Sequence, residues 1–247
     1  MRAILYPSEI SGRVAAPPSK SMAHRALICA ALAKGESRVL NLSASQDITA
    51  TLAAMRLLGA SAADMDAPEC RRGAAAAYAH WSGERTVSGP GSLILKGTGG
   101  LPFAPVSGPV DCCESGSTLR FLIPVALLVQ GQAAFTGRGR LMERPLAPYE
   151  DLFRGKGIGW SMEHGVLTLD SGRGYDRMAL DPGEYRLPGD VSSQFITGLL
   201  FALPLLPDGS RLVVEGARES ASYLQLTLRA LATFGLTPRE QEEGWTI

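Results

Sequence analysis

Three short clusters of small polar residues each stand directly before a long apolar run in this chain. The clusters occupy residues 18–21 (PSKS), 114–118 (ESGST) and 191–194 (VSSQ), and the apolar runs occupy 26–33, 119–129 and 195–206. Serine and threonine cap the free amides of a helix's first turn, and helix N-termini attract anions. If the three helices pack about a common axis, their N-termini converge on a site for small, multiply charged anions. The alternative is that the clusters are only N-caps.

The same order of elements follows each cluster, at nearly equal intervals. Each apolar run ends at a glycine, a β-type segment follows, and a second, amphipathic helix ends at another glycine. The apolar runs are followed by Gly35, Gly131 and Gly209, and the β-type segments occupy 37–42, 133–136 and 211–215. The second helices occupy 47–58, 147–153 and 223–234, and they are followed by Gly59, Gly157 and Gly235. A helix that is apolar all round must be buried on all sides. The sequence therefore predicts an α/β (α+β) fold of three repeated units, in which sheets wrap a core of helices.

Composition excludes several classes of protein. The 247 residues carry 24 Lys+Arg and 24 Asp+Glu, and this balance argues against a protein that coats a polyanion such as a nucleic acid. The four cysteines include an adjacent pair but no C-x-x-C, so neither a metal site nor a disulfide framework is indicated. The first residues do not form a signal or transit peptide, and the run 121–129 is too short to span a bilayer. We expect a cytoplasmic protein.

Several motifs, in this order, resemble those of the 5-enolpyruvylshikimate-3-phosphate (EPSP) synthases. They are PSKSMAHRAL at 18–27, ESGSTLRFL at 114–122, RGRLMERPL at 138–146 and GDVSSQF at 189–195. The resemblance implies one domain of the enolpyruvyl transferase fold, an inside-out α/β barrel whose three βαβαββ units surround buried parallel helices. It also implies a transferase that moves the enolpyruvyl group of phosphoenolpyruvate to the 5-hydroxyl of shikimate 3-phosphate and releases phosphate. The family needs no metal and no organic cofactor.

The resemblance also implies how the chain is organised. Residues 16–247 would form the three-repeat domain that binds shikimate 3-phosphate, and residues 1–15 would pair with a second domain that this chain lacks. That missing C-terminal domain is the expected partner, and the chain alone is expected to be inactive. The stretch 64–91, which includes Arg71 and Arg72, reads as a surface insertion with no assigned function.

Site residues follow from the same resemblance, position by position. Lys20 corresponds to a lysine that contacts both substrates, and Lys20 and Arg144 would offset developing negative charge during catalysis. Further expected ligands of phosphoenolpyruvate are Gly116 and Arg144. Those of shikimate 3-phosphate are Ser21, Arg25, Ser192, Ser193, Gln194, Ser220 and Tyr223. We expect Arg120 to form a structural ion pair, and we expect His24 to be a neighbour of the site with no part in proton transfer.

Two other functions are consistent with the repeat. The first is an enolpyruvyl transferase that acts on a UDP-sugar, which would share the architecture but not the Lys-Ser-x-x-x-Arg and Ser-Ser-Gln residues. The second is a half-module that binds anions and has no chemistry of its own. The sequence departs from the usual pattern of the EPSP synthases at 220–223, where serine stands in place of the proline that usually precedes Tyr223.

Overall fold

The computed structural model of the chain describes residues 6, 11–43, 45–64, 91–100, 108–128, 131–173, 178–217 and 220–247. Nearly all of the predicted insertion, with Arg71 and Arg72, lies outside these residues, as does most of segment 1–15. The described residues 11–15 are exposed and form neither helix nor strand. The pairing of segment 1–15 with a second domain stays a prediction.

Helices and strands alternate along the described residues. The helices are α1 Lys20–Leu32, α2 Gln46–Leu57, α3 Gly116–Leu127, α4 Ala147–Gly155, α5 Ser193–Ala202 and α6 Ala221–Thr233. The first five strands are β1 Lys34–Leu42, β2 Ser61–Asp64, β3 Gly91–Thr98, β4 Val110–Asp111 and β5 Gln132–Thr136. The other strands are β6 Gly159–Glu163, β7 Val166–Asp170, β8 Glu184–Pro188, β9 Arg211–Glu215, β10 Arg239–Gln241 and β11 Gly244–Thr246. No helix in this part of the chain is long and apolar enough to cross a membrane.

The strands form three sheets built to one plan. The second sheet has the order β4-β5-β7-β6 and the third has the order β8-β9-β11-β10, each with one parallel pair followed by antiparallel pairs. The first sheet, β1-β3-β2, repeats the antiparallel part and has no counterpart of β4 or β8 among the described residues. Two complete βαβαββ units, and one unit whose first strand is not among the described residues, agree with the predicted threefold repeat. The described strands do not join into a closed barrel.

The first helix of each unit forms the core, as the apolar runs predict. Buried residues make up 9 of 13 in α1, 10 of 12 in α3 and 9 of 10 in α5. They make up only 6 of 12, 2 of 9 and 4 of 13 in α2, α4 and α6, which lie outside. Each outer helix is followed by a glycine with positive φ, at +105°, +78° and +81° for Gly59, Gly157 and Gly235. Glycine adopts this left-handed conformation without strain, so these residues end the outer helices.

Helices α3 and α5 approach closely at Gly198. A Cβ atom there would lie 2.5 Å from the Arg120 carbonyl oxygen and 3.2 Å from Pro124 Cγ. Because Pro124 has no N–H, the Arg120 carbonyl four residues earlier loses its partner within the helix. The Tyr149 hydroxyl lies 2.9 Å from this carbonyl oxygen and 2.7 Å from that of Phe195. Tyr149 of α4 thus connects the two buried helices beside this close contact.

Candidate functional site

The three buried helices begin in the same way. Their N-caps are Ser19, Ser115 and Ser192, and each serine oxygen accepts a first-turn backbone amide, at 3.3, 3.2 and 3.4 Å. The second residue of each helix, which is Ser21 in α1, Ser117 in α3 and Gln194 in α5, lines one and the same cavity. The N-termini of the three buried helices therefore converge on one cavity, as predicted.

The cavity has a volume of about 210 Å³ and a mostly polar lining. It is lined by Ser21, Arg25, Ser117, Phe121, Ser192, Ser193, Gln194, Ser220 and Tyr223. All seven residues that were predicted only for shikimate 3-phosphate are in this set. Ser117 and Phe121 were missed, although Ser117 occupies the helical position equivalent to that of Ser21 and its repeat position could have revealed it. The fold thus gathers the predicted residues, and their role as ligands stays a prediction.

Arg25 is a buried cation at the wall of this cavity. Its guanidinium group donates from Nε to Thr227 Oγ1 at 2.8 Å, from Nη1 to the Ser21 carbonyl at 2.8 Å and from Nη2 to the Tyr223 carbonyl at 3.1 Å. The group also lies 5.2 Å from the centre of the Phe121 ring. Burial lowers the pKa of Arg25 to about 10, and no carboxylate among the described residues offsets this. The guanidinium therefore stays protonated at neutral pH without a protein anion beside it.

The N-terminus of α6 also borders the cavity, and the repeat pattern did not predict this. Its N-cap, Ser220, has left-handed backbone angles of φ +54° and ψ +39°, and its side chain makes no capping hydrogen bond. This conformation costs a residue other than glycine about 1–2 kcal/mol. The first turn of α6 consequently lacks the side-chain acceptor that a serine supplies to the three buried helices.

Gln194 joins α5 to α3 through both ends of its amide. Its Nε2 donates to Ser117 Oγ at 2.9 Å, and its Oε1 accepts from Arg120 Nη1 at 2.7 Å. Arg120 Nη2 also donates to the Pro145 carbonyl at 3.2 Å, and its guanidinium lies 5.0 Å from the centre of the Phe195 ring. The ion pair predicted for Arg120 is not present in the described part of the chain, where its partners are an amide and a carbonyl.

Two arginines border Gly116 at the start of α3. A Cβ atom at Gly116 would lie 2.8 Å from Arg144 Nη1, which would have to shift, and 3.5 Å from Arg120 Nη1, which is an ordinary contact distance. Burial lowers the pKa of Arg120, and the like charge of Arg144 lowers it further by a smaller amount. The structure therefore brings the predicted residues Gly116 and Arg144 together, with Arg120 as an additional cation.

Lys20 lies outside the lining of the cavity and is paired with a residue that the motifs did not identify. Its Nζ is 2.6 Å from Asp47 Oδ2 in the first turn of α2, and the lysine side chain is 57% exposed. An exposed ion pair contributes only about 0–1 kcal/mol. Lys20 can therefore exchange Asp47 for an anionic ligand at little cost.

A buried chain of hydroxyls lies behind these residues. His24 Nδ1 is 2.7 Å from Thr51 Oγ1, which is 2.6 Å from Thr118 Oγ1, which donates to the Ser115 hydroxyl at 2.7 Å. The other ring nitrogen of His24 has no hydrogen-bond partner among the described residues. Burial lowers the pKa of His24 to about 4, and the nearby Asp47 carboxylate offsets this only in part. His24 is therefore neutral near pH 7 and connects α1 to α2.

His24 should make the stability of the fold depend on pH. The unfolded chain takes up a proton on His24 below about pH 6.5, whereas the folded chain does so only near pH 4. Because the unfolded state binds the proton first, the free energy of unfolding should fall with pH, by about 2 kcal/mol from pH 7.5 to pH 5. Urea unfolding at several pH values measures this. His24→Asn should flatten the profile, whereas His164→Asn, at an exposed histidine, should not. Identical slopes for wild type and His24→Asn would contradict the assignment.

Comparison with known sequences gives one consistent family. The profile described as EPSP synthase (3-phosphoshikimate 1-carboxyvinyltransferase) matches residues 5–87 and 90–247. A 3-phosphoshikimate 1-carboxyvinyltransferase of Clostridium beijerinckii is 42% identical over 232 residues, which are 94% of this chain and 48% of that protein. One from Clostridium perfringens (strain SM101) is 40% identical over 237 residues, 96% of this chain and 49% of that protein. The chain thus spans about half the length of the curated relatives it matches.

Solved structures show the same fold. An EPSP synthase from Acinetobacter baumannii matches with a TM-score of 0.70 at 20% identity, over 96% of this chain and 46% of that one. The enolpyruvyl transferase NikO from Streptomyces tendae matches with a TM-score of 0.54 at 15% identity, over 96% of this chain and 48% of that one. At such identities the likeness concerns the fold alone, and it confirms the predicted fold class. Since the family profile covers almost every residue from 5 to 247, the chain belongs to the EPSP synthase family.

Proposed function

We propose that this chain binds shikimate 3-phosphate in the cavity at the N-termini of the buried helices. On this proposal the chain is one half of a transferase that moves the enolpyruvyl group of phosphoenolpyruvate to the 5-hydroxyl of that ligand and releases phosphate. The observation that carries the proposal is the buried guanidinium of Arg25, which has no carboxylate partner among the described residues. A buried charge is costly unless it is paired, so the site favours an anionic ligand.

The donors around the cavity suit a phosphate on a hydroxylated ring. A guanidinium has five N–H donors, and the three hydrogen bonds of Arg25 leave two of them for a ligand. The hydroxyls of Ser192 and Ser193 at the start of α5, and that of Ser220 at α6, add neutral donors. Helix N-termini contribute further attraction for negative charge, about 0.3–1 kcal/mol each. These groups support a phosphorylated polyol over an apolar ligand.

A second subsite, for phosphoenolpyruvate, would lie between Lys20 and the two arginines at Gly116. The reaction begins when the 5-hydroxyl, as it loses its proton, attacks C2 of phosphoenolpyruvate while C3 gains a proton. The resulting tetrahedral intermediate then loses phosphate from C2 and a proton from C3, which restores the C2–C3 double bond. Negative charge grows on the departing phosphate. In our proposal Lys20 and Arg144 stabilise this charge electrostatically.

On this proposal the rest of the site belongs to a second domain. Because the chain covers about half of its curated relatives, we propose that proton transfer and closure of the site need a complementary C-terminal domain. Phosphate release from the two substrates should be undetectable with this chain alone. It should appear when the C-terminal half of a close relative is added. Turnover by the chain alone would show that no second half is needed.

Titration of the isotopically labelled chain tests the proposed ligand. Shikimate 3-phosphate should shift the amides near Ser21, Ser193 and Tyr223, and shikimate, which lacks the phosphate, should bind much more weakly. UDP-N-acetylglucosamine should cause no such shifts, and saturable binding of that ligand instead would favour a UDP-sugar transferase. A folded chain in which shikimate 3-phosphate at high concentration shifts nothing at these residues would refute the proposal.

A further inference from the structure

The two proposed subsites are joined by one side chain. Arg120 donates to the Gln194 amide, which lines the cavity, and to the carbonyl of Pro145, the residue after Arg144. We propose that Arg120 is a positioning residue that couples occupancy of the cavity to the placement of Arg144 beside Gly116. This inference deepens the proposed function and rests on it.

The orientation of the Gln194 amide is determined by its two partners. Ser117 Oγ lies 2.9 Å from Nε2, and Arg120 Nη1 lies 2.7 Å from Oε1. Turning the amide over would place its NH₂ group against an arginine N–H, two donors with no acceptor between them. A ligand that packs on Gln194 therefore acts on an amide that Arg120 holds in one orientation.

Arg120 has little freedom to respond in any other way. Its guanidinium is held over the Phe195 ring at 5.0 Å, and its Nε is buried with no hydrogen-bond partner among the described residues. Its two other nitrogens are committed to Gln194 and Pro145. A displacement of the Gln194 amide must consequently be transmitted to the segment that carries Arg144, or break one of these bonds.

The coupling also has an electrostatic reason. Arg120 Nη1 and Arg144 Nη1 both border Gly116, and neither has an ion-pair partner in the described part of the chain. Two like charges at one site repel each other, and an anion between them removes the penalty. The bond to Gln194 holds Arg120 in place against this repulsion. A ligand that stabilises Gln194 therefore prepares the cationic pair for a second anion.

A thermodynamic cycle on the full chain tests the inference. The dissociation constant of phosphoenolpyruvate is measured by titration with and without saturating shikimate 3-phosphate, and the ratio of the two values is the coupling. In wild type we expect a ratio of at least about fivefold, the low end for coupled sites. In Arg120→Gln it should fall close to one.

Two further variants keep the result unambiguous. Arg120→Lys retains the charge but replaces the planar guanidinium fork that reaches Gln194 and Pro145 by a single ammonium group, so it too should lose the coupling even if Arg120→Gln folds poorly. Arg140→Gln makes the same change of charge at a side chain that is 89% exposed and should keep the wild-type ratio.

The NMR resonances of the arginine side-chain Nε–H groups report directly on the surroundings of Arg144. Shikimate 3-phosphate should shift the Arg144 signal in wild type and not in Arg120→Gln.

The outcomes separate this inference from the proposed function. If shikimate 3-phosphate does not bind the folded wild-type chain, the proposed function fails. If it binds but the ratio is the same in wild type, Arg120→Gln and Arg120→Lys, the role of Arg120 is wrong. If phosphoenolpyruvate fails to bind even when shikimate 3-phosphate saturates the cavity, the proposed role of Arg120 is wrong as well.

Discussion

Replacing Arg25 by alanine should weaken the binding of shikimate 3-phosphate by about 10- to 150-fold. A hydrogen bond to a charged group is worth about 1.5–3 kcal/mol, and each 1.4 kcal/mol is a factor of ten. The two unused N–H donors of Arg25 and its uncompensated charge are the reasons. Phosphoenolpyruvate, whose proposed contacts are on the other side of Gln194, should lose much less affinity. Calorimetric titration with each ligand measures both effects.

Arg25→Lys separates the charge from the shape of the guanidinium. Lysine keeps the charge but cannot bond Thr227, Ser21 and Tyr223 together, so its affinity should fall between those of wild type and Arg25→Ala. Because Arg25 is only 2% exposed, the urea midpoint of each variant must be recorded beside its affinity. Equal losses for both ligands, with a lowered midpoint, would show that Arg25 supports the fold and does not select the ligand.

Gly198→Ala should destabilise the chain by about 3 kcal/mol, the upper end of the usual cost of overpacking. The added methyl group would meet the Arg120 carbonyl at 2.5 Å and would also overlap the Tyr149 hydroxyl. Backbone atoms cannot move aside as a flexible side chain can, so α5 must separate from α3. Urea unfolding measures the loss as a lower midpoint.

The same substitution elsewhere in the molecule supplies a matched control. Gly155→Ala, at the exposed end of α4, meets no atom within 4 Å and should be neutral or stabilising, since alanine favours helix by about 1 kcal/mol. Adding Tyr149→Phe to Gly198→Ala should restore little, because the clash with the Arg120 carbonyl remains. A Gly198→Ala chain as stable as Gly155→Ala would mean that α3 and α5 are not packed as closely as described.

Local pattern was sufficient to predict the scaffold. The all-apolar runs identified α1, α3 and α5 as the core, because a helix without a polar face has no stable position at the surface. The glycines at 59, 157 and 235 marked the ends of the outer helices, because each takes a left-handed conformation. Convergence of the three N-termini followed from the repeat itself. The identity of each helix and its end point are thus determined by residues within a few positions in the sequence.

The partnerships at the site could not be predicted, because they join distant parts of the chain. Lys20 pairs with Asp47, 27 residues away, and Gln194 bonds Arg120 and Ser117, 74 and 77 residues away. The ion pair expected for Arg120 was wrong, because its partners among the described residues are the Gln194 amide and the Pro145 carbonyl, 74 and 25 residues away. The position of α6 depends on the unusual backbone of Ser220, which the departure of the motif at 220–223 gave no means to predict.

Among the described residues the first sheet is one strand shorter than the other two, and no described strand covers its β1 edge. β1 is the longest described strand, and on the side away from β3 no described strand pairs with it. Such an edge invites intermolecular strand addition, the first step of aggregation. Its own sequence opposes this, since Lys34, Glu36 and Arg38 alternate along the strand and the register shifts between Val39 and Leu42. Within the described part of the chain, three charges and a bulge therefore oppose strand addition at this edge.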